Sequence, residues 1–341
     1  MGRPRVRGTF AVVGCVLMSV FTASCAQIGM TRVPVEAGAT RDALRFSRQG
    51  VRVEYAQGID RYTFFGPDSG PNLLHTVGLD REAQPGQYVF FGGAYSWTAP
   101  QNGPGGSVGG WIAPDESPRG WPPDPAMDTG PCAVEAAGAR GFVATGPQQR
   151  TGLREVKTFE IIGARTARLT YRLNNEGASP VLAGPWLNTA VAPGAVVAFR
   201  MGKGDGFEVR GAMGDNAVAS FTGALGPTGP GGWRTLDLSR HPALPEVKVF
   251  IDAGDRAAEI AVWREGWWLH RALTSGDADS HARQRAMSEG PVAFYANSGL
   301  GIFEAELVAP FAEIAPAGHH QAVEVWTLIK SETPDVTALP R

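Results

Sequence analysis

Apolar and polar residues alternate with a period of two along much of this chain. Ala167, Leu169, Tyr171 and Leu173 fall on one side of a segment and Arg168, Thr170 and Arg172 on the other, which is the signature of a half-buried strand. The same alternation runs through 51–55, where Val51, Val53 and Tyr55 recur, and through 246–252. At 303–307, Phe303, Ala305 and Leu307 share one face and Glu304 and Glu306 the other. Further strands are expected at 61–65, 88–91, 141–144, 181–191, 195–201, 258–263, 267–273, 292–295 and 323–329, and only 283–287 reads as a short helix. Many short strands punctuated by glycine and proline predict an all-β sandwich or barrel. No internal repeat supports a propeller.

Residues 92–131 break the alternation. They form a loop of about forty residues that carries Trp97, Trp111 and Trp121, three of the nine tryptophans. Loops that long are functional or disordered, and disordered segments are poor in aromatics. The segment is therefore expected to be ordered, to lie across one face of the domain and to mark the site.

Composition narrows the class without naming a reaction. A net charge of −2 gives no reason to expect a nucleic-acid partner. Arg3, Arg5 and Arg7 precede an apolar run at 9–21, too short to span a membrane and of the length of a signal core. Thr22, Ala23 and Ser24 then lead to Cys25, which predicts an exported lipoprotein anchored in the cell envelope through acylated Cys25. Ordinary cleavage after Ala26, giving a soluble periplasmic or secreted protein, is the alternative. Cys15 would leave with the signal, and lone Cys132 is expected to be buried as a small apolar residue. The expected layout is a signal at 1–25, a tether at 26–45, one β-sandwich domain at 46–330 and a tail at 331–341.

The order of short motifs is distinctive. DSGPNLL at 68–74 is followed by WTAPQ at 97–101, WPPDP at 121–125 and DTGP at 128–131. TGL at 151–153, LNN at 173–175, Pro185-Trp186, FEAE at 303–306 and APAG at 315–318 come after them. This set resembles an uncharacterised bacterial domain-of-unknown-function family of the galactose mutarotase-like (aldose 1-epimerase) superfamily, over roughly residues 45 to 330. The resemblance implies a β-supersandwich of antiparallel strands with long loops and at most a short helix, and a concave face that binds sugar. It also implies a glutamate base at Glu304, with Glu306 beside it. Mutarotases pair such a base with a histidine acid, one group taking the anomeric hydroxyl proton while the other protonates the ring oxygen. Here 185–189 reads Pro-Trp-Leu-Asn-Thr, with no histidine at the matching place.

The residues leave alternatives open. Trp97, Trp121 and Trp186 could stack on pyranose rings or fill the core. Glu304 and Glu306 could act as base and neighbour or form a solvated strand face. Gln101 and Asp128 join the candidate ligand-binding set through the same motifs, with Asp128 also suited to ordering the loop through backbone N–H groups. His75 and His270 read as structural, His281 with Asp277 and Asp279 as a helix cap, and His319 and His320 as solvent-facing. No serine-hydrolase elbow, phosphate-cradling loop or zinc-protease motif is present, and neither a metal nor a cofactor is expected. The leading expectation is a carbohydrate-binding envelope lipoprotein with no assigned protein partner. A sugar epimerase or lyase using Glu304 and a structural scaffold are the alternatives.

Overall fold

The computed structural model describes residues 30–34, 41–82, 88–100, 123–200, 208–214, 216–252, 258–274 and 290–341. Cys25, Gln101, Trp111, Trp121, the signal segment, the expected helix at 283–287 and the acidic group around His281 lie outside them. Two antiparallel sheets pack face to face, as expected for a sandwich. The larger, of 11 strands, runs in the order β1 (Thr31–Pro34), β2 (Asp42–Arg48), β3 (Val51–Ala56), β4 (Arg61–Pro67), β5 (Ala94–Ala99), β10 (Val181–Ala190), β18 (Ile302–Val308), β17 (Val292–Asn297), β14 (Val247–Asp252) and β12 (Glu208–Met213), with β19 (Ala312–Ile314) on β10. The smaller, of 9 strands, runs β13 (Trp233–Asp237), β11 (Val196–Arg200), β15 (Ala258–Arg264), β16 (Trp267–Leu273), β20 (His319–Lys330), β9 (Thr166–Asn175), β8 (Leu153–Gly163), β7 (Gly141–Gln148) and β6 (Ala133–Ala136). Among the described residues two α-helices lie outside the sheets, α1 (Pro125–Asp128) and α2 (Ala217–Ala224). No helix among the described residues is long and apolar enough to cross a membrane.

The space between the sheets is filled by inward residues of both, including Tyr62, Phe65, Phe142, Phe159 and Trp326. Phe65 meets Trp326 edge-on at 4.7 Å between ring centres, and Tyr62 does so at 5.6 Å, the geometry that ring quadrupoles favour. Charged groups share this interior. Lys157 donates to Asp60 at 2.6 Å and lies 3.4 Å from Glu155, which also accepts from Ser96 at 2.7 Å. Burial pushes the Glu155 carboxyl up. Cys132 is a buried free thiol, raised chiefly by burial.

The structure departs from the sequence reading in several places. The strand expected at 88–91 is displaced to β5, which takes the first residues of the supposed loop into the sheet. The boundary expected at residue 46 falls inside β2, and β1 pairs with that strand. Residues 331–341, read as a tail, pack on the outer face of the smaller sheet: Leu339 is buried, and Trp233 Nε1 donates to the Pro340 carbonyl at 2.9 Å. A helix forms at 217–224, where the sequence reading placed no element, because Ala217 and Phe221 bury one side of it.

Candidate functional site

One face of β10 packs into the sandwich, and the other looks outward across the larger sheet. Strand pairing places three rows of side chains on that outer face. Trp97 of β5 stands opposite Trp186 of β10, which stands opposite Val308 of β18. The next row holds Tyr95, Asn188, Glu306, Ala293 and Phe250. The third holds Ala190, Glu304, Tyr295 and Lys248. These rows form an apolar cluster separate from the sandwich interior, in which Tyr95, Trp97, Met127, Trp186 and Phe250 pack together.

Local chemistry explains how each group is held. Gly92 and Gly93 both have positive φ, and a Cβ on Gly93 would stand 2.4 Å from the Tyr62 carbonyl. Glycine therefore lets β5 leave β4 and swing onto β10. Pro125 opens α1 and Asp124 caps it, its carboxylate accepting from the Ala126 amide at 3.0 Å, as helix starts prefer. α1 docks against β5, where the Met127 sulfur accepts from Thr98 Oγ1 at 3.0 Å. This brings Asp128 to the aromatic face.

Asp128 Oδ1 accepts from the Arg61 guanidinium and from Trp97 Nε1, the latter at 2.9 Å. These partners are side chains, not the backbone amides expected for Asp128. The Arg61 guanidinium lies over the Tyr95 ring, 3.7 Å from its centre. Tyr95 Oη donates to Glu304 Oε1. Glu306 Oε2 accepts from Trp186 Nε1 at 2.6 Å and from the Lys248 ammonium. Lys248 in turn sits 4.6 Å from the centre of the Trp186 ring, a cation–π contact. Trp97 and Trp186 meet edge-to-face at 5.8 Å and 89°.

Burial defines the electrostatics. Glu304 is 7% exposed and Glu306 1%, so the solvated-face reading of this pair does not hold. Both carboxylates point away from the core, yet the surrounding rings and Lys248 cover them. Desolvation first, and repulsion from Glu306 second, push the Glu304 carboxyl up to about 7, against the opposing pull of Tyr95, Lys248 and Arg61. Burial and the Glu304 charge hold the Tyr95 phenol well above its usual range. Three buried polar atoms on this face have no hydrogen-bond partner among the described residues: Asn188 Oδ1, Arg61 Nε and Arg61 Nη1. Such atoms are uncommon in folded proteins and call for a partner.

The structure thus brings Trp97, Asp128, Trp186, Glu304 and Glu306 onto one face. Tyr95, Arg61 and Lys248 complete that face and escaped the sequence reading. Tyr95 lies two residues before Trp97, the strand period, and Lys248 alternates with Val247 and Val249, so both carried a readable signal. The histidines stand elsewhere. His270 Nε2 pairs with Glu259 at 2.8 Å on the smaller sheet, and His75 is lowered by burial and by Arg264. His320 Nε2 bonds the Pro310 carbonyl at 2.9 Å instead of facing only solvent. Among the described residues no group of three or more His, Cys, Asp or Glu could hold a metal ion. A surface cleft of about 390 Å³ lies beside α2, lined by Ser220, Arg240, His241 and Leu244, none of which belongs to the rows described above.

No protein-family model and no curated protein matches the sequence. Solved structures do match the fold. A galactose mutarotase-like protein from Lactobacillus casei is similar with a TM-score of 0.51 at 9% identity, over 84% of this chain and 99% of its own. One from Clostridium acetobutylicum is similar with a TM-score of 0.51 at 7% identity, over 89% of this chain and 99% of its own. A TPR-domain containing protein from Parabacteroides distasonis gives a TM-score of 0.51 at 11% identity, over 88% of this chain and 49% of its own.

Proposed function

Given that the chain has the galactose mutarotase-like fold, we propose that it is a carbohydrate-binding protein whose ligand face is the outer surface of the larger sheet around Trp186 and Glu304. The observation that carries this reading is the coincidence of two features on adjacent rows. Trp97 and Trp186 supply flat apolar surface, while Asn188 and Arg61 supply buried polar atoms that have no hydrogen-bond partner among the described residues. Pyranoses need both, apolar faces for stacking and hydrogen-bonding groups for their hydroxyls. Trp186, Lys248 and Phe250 keep 8% exposure each and Tyr295 is half-buried, while Leu187 and Val249 behind them are at 0%. A tryptophan-fluorescence titration across neutral and acidic mono- and oligosaccharides tests the reading. Saturable quenching that W186A abolishes supports it, and no response across the panel would sink it.

A second reading, a sugar epimerase or lyase, is favoured by one further observation. A carboxyl that titrates at about 7 is poised to exchange protons at neutral pH. In an epimerase, Glu304 would take the anomeric hydroxyl proton while the Lys248 ammonium, which stands in the same row, returns one to the ring oxygen. Saturation-transfer NMR of anomer exchange separates this from binding alone: binding without exchange leaves Glu304 a recognition group.

For the cellular setting we propose export and anchoring through lipidated Cys25. The support is the basic, apolar and small-residue order of 1–25.

A further inference from the structure

Arg271 belongs to β16 of the smaller sheet but directs two of its donors to the larger one. It is fully buried, its Nε donates to Glu324 Oε1 at 2.5 Å, and Glu324 is also fully buried. Its Nη1 donates to the Ala305 carbonyl at 3.1 Å and its Nη2 to the Leu187 carbonyl at 3.2 Å. Those carbonyls sit on adjacent strands, β18 and β10. Ala305 lies between Glu304 and Glu306, and Leu187 between Trp186 and Asn188. Side chains alternate along a strand, so Arg271 holds the backbone directly behind four residues of the outer face. Each carbonyl has two lone pairs and can accept Arg271 in addition to a ladder partner.

We propose that Arg271, oriented by Glu324, is a positioning residue for the carbohydrate face: its guanidinium fork ties β10 to β18 from inside the sandwich and sets the placement of Trp186 against Glu304 and Glu306. The proposal rests on the reading of that face as the ligand site. Two facts separate this role from that of a rivet between sheets. A buried ion pair is weak evidence for stability, because apolar residues of similar volume often serve as well. The fork also bridges two neighbouring strands of one sheet at the point where the side chains of the site diverge. A lysine keeps the charge but presents a single ammonium and cannot reproduce the planar fork.

The test uses the full chain and needs no ligand. The double variant R271M/E324L removes both charges together and is expected to fold with a Tm close to that of the parent. Carboxyl carbon NMR, with Glu304 assigned through E304Q, reads its titration against the groups that face it: Glu306, Tyr95, Lys248, Arg61, Tyr88 and Tyr295. The expected result is a fall of about one unit in the Glu304 midpoint, as loosened strands admit water, together with a shifted Trp186 indole N–H resonance. R271K should show the same changes to a smaller extent. A folded double variant with both signals unchanged overturns the proposal. If the double variant does not fold, R271K decides on the same two signals, and failure of both to fold assigns the pair to the fold alone and also overturns it. Failure of any sugar to bind would count against the ligand reading without touching these ligand-free signals.

Discussion

The indole Nε1 of Trp186 donates to Glu306 Oε2 at 2.6 Å, and the same oxygen accepts from the Lys248 ammonium, which itself lies 4.6 Å from the centre of the Trp186 ring. Ring, carboxylate and cation form a closed triangle contributed by β10, β18 and β14. The arrangement fixes the plane of Trp186, while Glu304, in the same row as Lys248, accepts from Tyr95 Oη.

Removing the cation tests the triangle. K248M leaves Glu306 as a 1%-exposed carboxylate with the indole as its side-chain partner among the described residues. Unpairing a buried ion pair costs about 3–5 kcal/mol. Urea denaturation should show that loss in K248M and recovery of most of it in K248M/E306Q. Equal stability of K248M and the parent would mean the pair is solvated in solution.

Glu304 makes stability depend on pH. Its folded-state midpoint of about 7 lies above the ordinary 4.5. Between those values the native state holds more protons than the unfolded chain, so stability falls as pH rises through the window, by at most about 1.4 kcal/mol per unit. E304Q should lose that slope and exceed the parent in stability above pH 7. Parallel pH–stability curves for the two proteins would show that Glu304 titrates normally.

Two substitutions of Trp186 separate its ring from its N–H. W186F keeps an aromatic surface but deprives Glu306 of one donor, at a cost of about 1–3 kcal/mol. W186A removes the surface and should weaken sugar binding at least about tenfold, or about 1.4 kcal/mol. If W186F and W186A bind sugar equally well, the ring is not a stacking platform.

Arg61 should matter through Asp128. R61M strands the Asp128 carboxylate with Trp97 Nε1 as its side-chain donor at 2.9 Å. The expected outcome is a loss of about 3–5 kcal/mol, accompanied by a change in the Trp97 fluorescence that W97F would identify.

Cys25 carries the prediction about location. C25S should move the protein from the membrane fraction to the soluble fraction of the cells that make it. Unchanged membrane retention would remove lipidation as the anchor.

Several elements were legible because their alternation is clean. β9 and the stretch 303–307 read as strands, and in each the inward residues are the apolar ones. β8 did not read as a strand, although it does alternate. Its buried positions include Glu155 and Lys157 beside Leu153, Phe159 and Ile161, so charges that are paired inside the sandwich disguised the inward face. β5 was hidden for a related reason. Ser96 turns inward to Glu155, while Tyr95 and Trp97 turn outward, the reverse of the usual pattern.

The sequence by itself determined an all-β chain built on a period of two and the common facing of Glu304 and Glu306. A period of two states which side of its own strand a residue occupies and nothing about the neighbouring strand. Tertiary structure decided the neighbours: register sets Asn188 opposite Tyr95 and Glu306, and sets Tyr295 opposite both Glu304 and Lys248. It also decided that two glutamates on an outward face are buried, that Lys248 and not a histidine stands beside them, and that an arginine of the opposite sheet holds their strand from behind. The hydrogen bonds of Tyr95, Trp186 and Lys248 to the two glutamates and of Arg271 to Glu324 join positions between 53 and 209 residues apart, and only long-range pairing and packing bring such positions together.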